Sequence, residues 1–191
     1  MNTLEKIGKW WFKHRGESPL PLLLFVLLWP VTVSVGTWFQ GLILILCGEA
    51  IRMWSVGYAG GITRTRTGDL NKLVTKGPFK YTRNPIYIGN IIMYLGVGIT
   101  LSSYKLLWLV FLYFAIQYTL IVRYEENILL DSFGPEYELY RTKVPRWIPN
   151  FASTIEESGH QFNIKETLYN ERRTLTAIFV ILVISIVKRM I

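Results

Sequence analysis

The chain of 191 residues is long enough for one domain, but 51% of its residues are hydrophobic and 15% are aromatic. This composition is more apolar than that of ordinary soluble domains, and the apolar residues are concentrated in long runs. A net charge of +8 is compatible with nucleic-acid binding, yet the basic residues stand beside the apolar runs, as in membrane proteins. We therefore predict an integral membrane protein that associates with the bilayer and has no nucleic-acid partner.

Five apolar runs follow one another along the chain, and four of them approach the roughly 20 residues that a helix needs to cross a bilayer. These four runs cover residues 20–35, 42–56, 86–101 and 106–122. The fifth run, residues 175–187, is short for a span. The pattern predicts an all-α integral membrane fold, a bundle of about five transmembrane helices, with a tight turn at residues 36–38 and a kink at Pro30.

The basic residues predict the orientation of the chain. Lysines and arginines precede the first apolar run and fill the segment after the second, so the positive-inside rule places both segments in the cytoplasm. We predict a basic interfacial lead at residues 1–18, a membrane core at 19–151 and a C-terminal extension at 152–191. Within the core, residues 57–69 are predicted to form a surface loop.

Few side chains in the apolar runs suit metal or thiol chemistry. A single cysteine, Cys47, excludes an intrachain disulfide, and with only two histidines we expect no metal site of the usual His/Cys type. Glu49 and Arg52 stand three residues apart, on one helical face at membrane depth. They form either a structural ion pair or part of a site, because charges inside a membrane are costly and face the bundle interior.

Polar residues are concentrated at the ends of the third and fourth predicted helices. A basic loop with a Gly-Pro turn leads into the third helix, where Asn84 is a good capping residue and Pro85 suits the first helical position. Glu125 and Glu126 are predicted to end the fourth helix, which returns to the same side. Adjacent carboxylates can bind a ribose, an ammonium or a sulfonium, although charges at helix ends are often only solvated.

Two segments of the chain read LVTKGPFKYTRNPIYIG and EENILLDSFGPEYELYRTKVPRWIP. They resemble the isoprenylcysteine carboxyl methyltransferase and phospholipid methyltransferase superfamily of integral membrane proteins. Members of the superfamily have a Gly-Pro turn, a helix that starts with Arg-His-Pro-x-Tyr or Arg-Asn-Pro-x-Tyr, and a Glu-Glu pair that closes the next helix. The resemblance is specific over residues 73–149, weaker over 49–68, and covers neither the first helix nor the extension from Phe151.

The resemblance implies methyl transfer from S-adenosylmethionine to a membrane-embedded lipid or lipidated acceptor. The cofactor pocket would lie at the cytoplasmic face, formed by loops and the C-terminal amphipathic segment. The residues that the resemblance assigns to cofactor binding are Leu73, Val74, Gly77, Pro78, Arg83, Asn84, Tyr87, Glu125 and Glu126. For catalysis, either glutamate would take a proton from an amine acceptor, whereas Arg146 or Arg141 would orient a carboxylate acceptor.

Asn84 affects which acceptor is expected, because the prenylcysteine enzymes have a histidine at this position. Asparagine occurs there in the phospholipid and less characterised branches, so the acceptor stays open between a prenylcysteine carboxylate, a phospholipid amine and another lipid. Two other functions also stay open. Some sterol reductases resemble the superfamily in their C-terminal half and bind NADPH, and a non-catalytic lipid-binding membrane protein would show the same apolar runs.

Overall fold

The computed structural model describes residues 3–30, 32–60, 72–102 and 104–190, and the regular structure of these residues is helical. A short 3₁₀ helix covers Gly77–Lys80. The α-helices of the described residues are α1 (Thr3–Lys13), α2 (Pro19–Leu28), α3 (Val35–Ala59), α4 (Pro85–Ser102), α5 (Leu107–Phe133), α6 (Pro135–Lys143) and α7 (Ile164–Met190). The predicted surface loop lies mostly outside the described residues, since α3 continues to Ala59 and the description resumes at Lys72.

Three helices, α3, α4 and α5, are long and apolar enough to cross a membrane, which confirms an all-helical fold with several candidate spans. Helix α2 is apolar but has only 10 residues. At 1.5 Å per residue it is about 15 Å long, roughly half the hydrocarbon thickness of a bilayer. The count of about five transmembrane helices stays a prediction.

The connection between the first two apolar helices differs from the prediction. Helix α2 ends at Leu28, before Pro30, and α3 already begins at Val35. Ser34 caps α3, since its hydroxyl oxygen accepts the Thr37 backbone N–H at 3.1 Å. The predicted turn at residues 36–38 is therefore wrong, as these residues form the first turn of α3, and Pro30 follows a helix end rather than a kink.

Helices α3 and α4 pack closely against each other through small residues. A Cβ atom added to Gly48 of α3 would lie 2.6 Å from the Gly89 carbonyl oxygen of α4, and one added to Gly89 would lie 2.7 Å from the Gly48 carbonyl oxygen. Seven residues away, Gly41 and Gly96 approach each other in the same way. Because small residues let helix backbones approach, these positions set the antiparallel α3–α4 contact.

Helix α5 is longer than predicted. It continues through Glu125 and Glu126 to Phe133 and ends where Gly134 adopts a positive φ of 49°. The prediction that the glutamate pair closes this helix is therefore wrong. Hydrophobic runs show where a helix meets lipid, but a helix continues into water as long as its residues allow it, and Gly134 is the first strong stop.

Helix α7 lies along α3 in the opposite direction. Near one end of the pair, Arg52 of α3 binds Glu171 of α7 at 2.7 Å. Near the other end, the Trp38 indole N–H donates to the Ser185 hydroxyl at 2.9 Å. Beyond that point, the Lys188 ammonium donates to backbone carbonyls at the ends of α2 and α4, Trp29 at 2.8 Å and Leu101 at 2.7 Å. The predicted C-terminal extension thus contains a 27-residue helix that is part of the bundle.

Candidate functional site

A cavity of about 1040 Å³ lies inside the bundle, and residues of all the described α-helices and of the loop that precedes α4 line it. Ligand sites for small molecules commonly occupy about 300–1,000 Å³, so this cavity has room for a large ligand or for two. Seven of the predicted site residues line it. They are Leu73, Val74, Arg83, Asn84, Tyr87, Glu125 and Glu126.

The Gly-Pro turn supports this cavity from behind and does not line it. Gly77 has a φ of +60°, and a Cβ atom there would lie 2.3 Å from the Tyr58 ring, so only glycine fits. Pro78 is buried at the start of the 3₁₀ helix, and its carbonyl accepts the N–H groups of Tyr81 and Thr82 at 3.1 and 3.2 Å. Gly77 and Pro78 therefore determine the shape of the loop, and their contact with a cofactor stays a prediction.

The segment that follows α6, at Pro145 and Arg146, holds the start of α4. The Arg83 backbone N–H donates to the Pro145 carbonyl at 2.9 Å. The Thr82 hydroxyl and the Asn84 side-chain amide both donate to the Arg146 carbonyl, at 3.1 and 3.2 Å. Asn84 therefore contacts the segment that follows α6 and at the same time lines the cavity.

Glu126 is buried between two arginines. Arg146 binds both of its carboxylate oxygens, with Nε to Oε1 at 3.1 Å and a terminal nitrogen to Oε2 at 2.5 Å. Arg83 adds a contact to Oε1 at 3.2 Å. The hydrogen bonds to Glu126 raise the pKa of Arg146 above its usual value. Arg146, predicted as catalytic, does not line the main cavity, and its guanidinium is used to hold Glu126.

Glu125 faces a different set of groups, because neighbouring residues of a helix point about 100° apart. Its carboxylate accepts a hydrogen bond from Arg15 at 3.3 Å and interacts with the Tyr87 hydroxyl. No sequence pattern predicted a site role for Arg15, which stands among the basic residues before the first apolar run and lies 110 residues away from Glu125. Helix α1 brings Arg15 here by packing on α5 at Gly8, close to the Leu120 carbonyl.

Three polar atoms among the cavity-lining residues are buried without a hydrogen-bond partner in the described part of the chain. They are Nε of Arg52, Nε of Arg83 and the hydroxyl of Tyr137, and the first of them lies 3.3 Å from the Glu49 carboxylate. Burial raises the pKa of Tyr137 above its usual value, so this phenol stays protonated and keeps a proton to donate. Buried polar groups are nearly always paired, so unpaired donors beside a cavity are typical of a site that holds a polar ligand.

The family model described as phospholipid methyltransferase matches residues 37–136, just over half of the chain. The chain belongs to this family. The match runs from the first turn of α3 to the start of α6 and includes Asn84, Tyr87 and the glutamate pair, whereas α1, α2 and α7 lie outside it.

Several curated proteins are similar to the chain. The cobalt-zinc-cadmium resistance protein CzcN of Cupriavidus metallidurans is 29% identical over 147 residues, which cover 70% of this chain and 65% of the relative. The protein-S-isoprenylcysteine O-methyltransferase of Schizosaccharomyces pombe is 38% identical over 109 residues, 54% of this chain and 46% of the relative. The human enzyme of that name is 28% identical over 147 residues, 70% of this chain and 49% of the relative. The chain thus matches about half to two thirds of these relatives, and no solved structure matches it.

Proposed function

We propose that the protein transfers a methyl group from S-adenosylmethionine to a lipid or lipidated acceptor held in the membrane, at the cytoplasmic face. One observation carries the proposal. The start of α4, with Asn84 and Tyr87, and the pair Glu125 and Glu126 converge on one cavity in a chain of the phospholipid methyltransferase family. Curated relatives named isoprenylcysteine methyltransferases support a lipidated acceptor, and the basic loop before α4 supports the cytoplasmic side.

The residues around the cavity fit the chemical groups of S-adenosylmethionine. Glu125 supplies carboxylate oxygens that can accept hydrogen bonds from a ribose or an ammonium. Arg83 has an unpaired buried Nε, and Tyr137 an unpaired hydroxyl, either of which can donate to a carboxylate. When bound, the cofactor supplies an electrophilic methyl group on a cationic sulfur. The protein residues position this group and exclude water from it.

The chemistry that remains for the protein is orientation and proton removal. Methyl transfer breaks the carbon–sulfur bond and forms a bond from the methyl carbon to the acceptor atom, and holding the partners in line supplies most of the catalysis. An amine acceptor must also release a proton, and Glu125 is the cavity carboxylate best placed to accept it, since Glu126 is held by two arginines. Arg146 acts through Glu126, as a positioning residue.

The apolar part of the cavity suits the tail of a lipid. Its lining includes Leu20 and Leu23 of α2, Met93 and Val97 of α4, and Ile181 of α7. Burying a methylene group contributes about 0.8 kcal/mol, so a chain of even a few carbons binds favourably there. The acceptor would thus keep its tail among the helices while its polar head reaches the cavity residues.

Calorimetry on the purified protein in lipid nanodiscs tests the proposal. We expect S-adenosylmethionine to bind the wild type, and Glu125→Gln to weaken binding about tenfold, as loss of one charge-assisted hydrogen bond does. The control is Glu138→Gln, the same change at an exposed site on α6 that pairs with Arg141. No binding to the wild type contradicts the proposal, and binding of NADPH instead supports a membrane reductase.

A further inference from the structure

A second pocket, of about 290 Å³, lies beside the main cavity where α1, α5 and α6 meet. Its lining residues are Leu4, Glu5, Arg123, Glu126, Asn127, Arg141 and Arg146. Of these, Glu126 is the one that also lines the main cavity, so it stands between the two spaces. Arg141, predicted to orient a carboxylate acceptor, lines this second pocket and not the main cavity.

Arginine is the commonest residue type in the lining of the second pocket. Arg123, Arg141 and Arg146 come together there with two carboxylates, those of Glu5 and Glu126. The ion-pair partners outside the lining add one further arginine, which binds Glu126, and one further glutamate, which binds Arg141. One positive charge remains in excess in either count, so the pocket favours an anion.

The arginines of the pocket keep hydrogen-bond donors that the protein does not use. Arg123 is exposed and makes no hydrogen bond or ion pair with the described residues. Arg146 binds Glu126 through Nε and one terminal nitrogen, so its other terminal nitrogen is not engaged by that carboxylate. The contact of Arg141 with Glu138 is exposed and long, at 3.5 Å, and such a pair is weak. Guanidinium groups present donors in a fork that matches the oxygens of a phosphate.

The pocket lies where the lipid-facing side of α5 becomes polar. The exposed residues Leu112, Ile116, Arg123 and Asn127 follow one another by four, seven and four residues and therefore form one stripe along this candidate span. Its apolar part faces lipid tails, and Arg123 comes directly after the apolar run, at the depth where a cationic side chain reaches the headgroups. Leu4 of α1 is exposed beside it and adds an apolar wall.

We propose that this pocket binds a phosphate group, held by Arg123, Arg141 and Arg146, and that its source is an anionic phospholipid. The excess of arginine charge selects a headgroup of net negative charge over a zwitterionic one, whose own cation is repelled. The tails of this lipid lie along the apolar stripe of α5. Because Glu126 separates the pocket from the main cavity, the bound lipid is not the methyl acceptor, and the inference goes beyond the proposed function.

Native mass spectrometry of the protein in a neutral detergent tests the site, since no charged leaflet contributes there. The probes are dioleoylphosphatidylglycerol, which is anionic, and dioleoylphosphatidylcholine, which has the same tails and a zwitterionic head. We expect the wild type to bind the first lipid more tightly, and Arg123→Gln and Arg141→Gln each to weaken that binding about tenfold, as loss of a charge-assisted hydrogen bond does. The matched control is Arg172→Gln, an exposed arginine of α7 that stacks on Tyr169 and lines neither space.

Two results would overturn the site. One is equal binding of the two lipids by the wild type, which needs no variant and is independent of folding. The other is a loss in Arg172→Gln as large as in Arg123→Gln and Arg141→Gln, or no loss in these two, because only a general attraction to the positive chain would then remain. Thermal unfolding should be the same in all three variants, since the replaced side chains are exposed.

Calorimetry with inorganic phosphate distinguishes the two sources of a phosphate group. We expect no measurable binding of the free ion to the wild type, because the apolar stripe contributes only when lipid tails are present. Binding of inorganic phosphate that Arg123→Gln loses, without a preference for the anionic lipid, would assign the pocket to a soluble phosphate and overturn the lipid source.

Discussion

Glu126 both lines the cavity and forms ion pairs that hold helices together. As a carboxylate beside the cavity it is a candidate ligand for the cofactor, yet its oxygens are already bound by Arg83 and Arg146. These contacts connect α5 to the start of α4 and to the segment after α6. Glu126 therefore stabilises the frame of the site, whereas Glu125, bound by the single arginine Arg15 among the described contacts, is the more available of the pair.

Replacing Glu126 by glutamine should destabilise the fold. The variant leaves two guanidinium groups beside a neutral amide, and breaking buried ion pairs in this way costs about 3 kcal/mol. Thermal unfolding in detergent measures the effect. The matched control, Glu138→Gln, breaks an exposed pair with Arg141 and should change the free energy of unfolding by less than about 0.5 kcal/mol. Equal effects of the two variants would show that Glu126 is solvated.

Tyr137 and Tyr140 of α6 should respond differently when each is replaced by phenylalanine. The Tyr140 hydroxyl donates to the Phe79 carbonyl at 2.7 Å, so Tyr140→Phe leaves that carbonyl unpaired and should lower the free energy of unfolding by about 1 kcal/mol. The Tyr137 hydroxyl is buried without a partner in the described residues, so Tyr137→Phe should leave stability unchanged or slightly raised. Unfolding in detergent distinguishes them.

The Tyr137 variant also tests the cofactor site. If the Tyr137 hydroxyl donates to S-adenosylmethionine, Tyr137→Phe should weaken cofactor binding several-fold at unchanged stability, because only the bound state loses a hydrogen bond. Isothermal calorimetry gives the affinity. A destabilised Tyr137→Phe, or one that binds the cofactor like the wild type, would mean that its hydroxyl plays no part in the pocket.

Because α3 and α4 are in close contact, replacing a glycine of α3 by alanine should destabilise the protein at some positions and not at others. Gly48→Ala places a methyl group 2.6 Å from the backbone of α4 and should cost about 1–3 kcal/mol, the usual cost of overpacking. Gly36→Ala, at the start of the same helix, meets nothing within 4 Å and should be neutral or slightly stabilising, since alanine favours a helix. Melting temperatures in detergent compare the two, and an equal response would contradict the close crossing.

The elements also show what sequence patterns can and cannot place. Apolar runs located α3, α4 and α5 correctly, because the part of a helix that crosses a bilayer must be apolar. The predicted start of α3 and the predicted end of α5 were wrong, because helix capping and helix continuation into water do not follow hydrophobicity. Helix α3 begins earlier in the chain than predicted because Ser34 caps it. Helix α5 ends later than predicted because the polar residues after Val122 remain helical.

For the whole molecule, the course of α7 decides the topology of the C-terminus. Its contacts extend from Arg52 near one end of α3 to Trp38 at the other, and 27 residues give a length of about 40 Å, enough to cross a bilayer. We therefore expect the C-terminus to lie on the opposite side of the membrane from α6, with the candidate site facing the cytoplasm.

Cysteine labelling measures this topology. In a Cys47→Ser background, Glu136→Cys on α6 and Met190→Cys at the end of α7 each introduce one exposed thiol. A membrane-impermeant maleimide added to intact cells should label only Met190→Cys, and both variants after the cells are opened. Labelling of both thiols, or of neither, in intact cells would show that α7 does not cross.

The sequence alone determined the membrane class of the protein, the positions of its main helices, the family and seven of the residues that line the candidate site. These features depend on local hydrophobicity and on motif order, which can be read along the chain. The tertiary structure decided which partner each charge has and that α7 belongs to the cavity. Arg15 meets Glu125 across 110 residues and Arg52 meets Glu171 across 119. Such contacts follow from how helices pack together, and no spacing along a single chain specifies that packing.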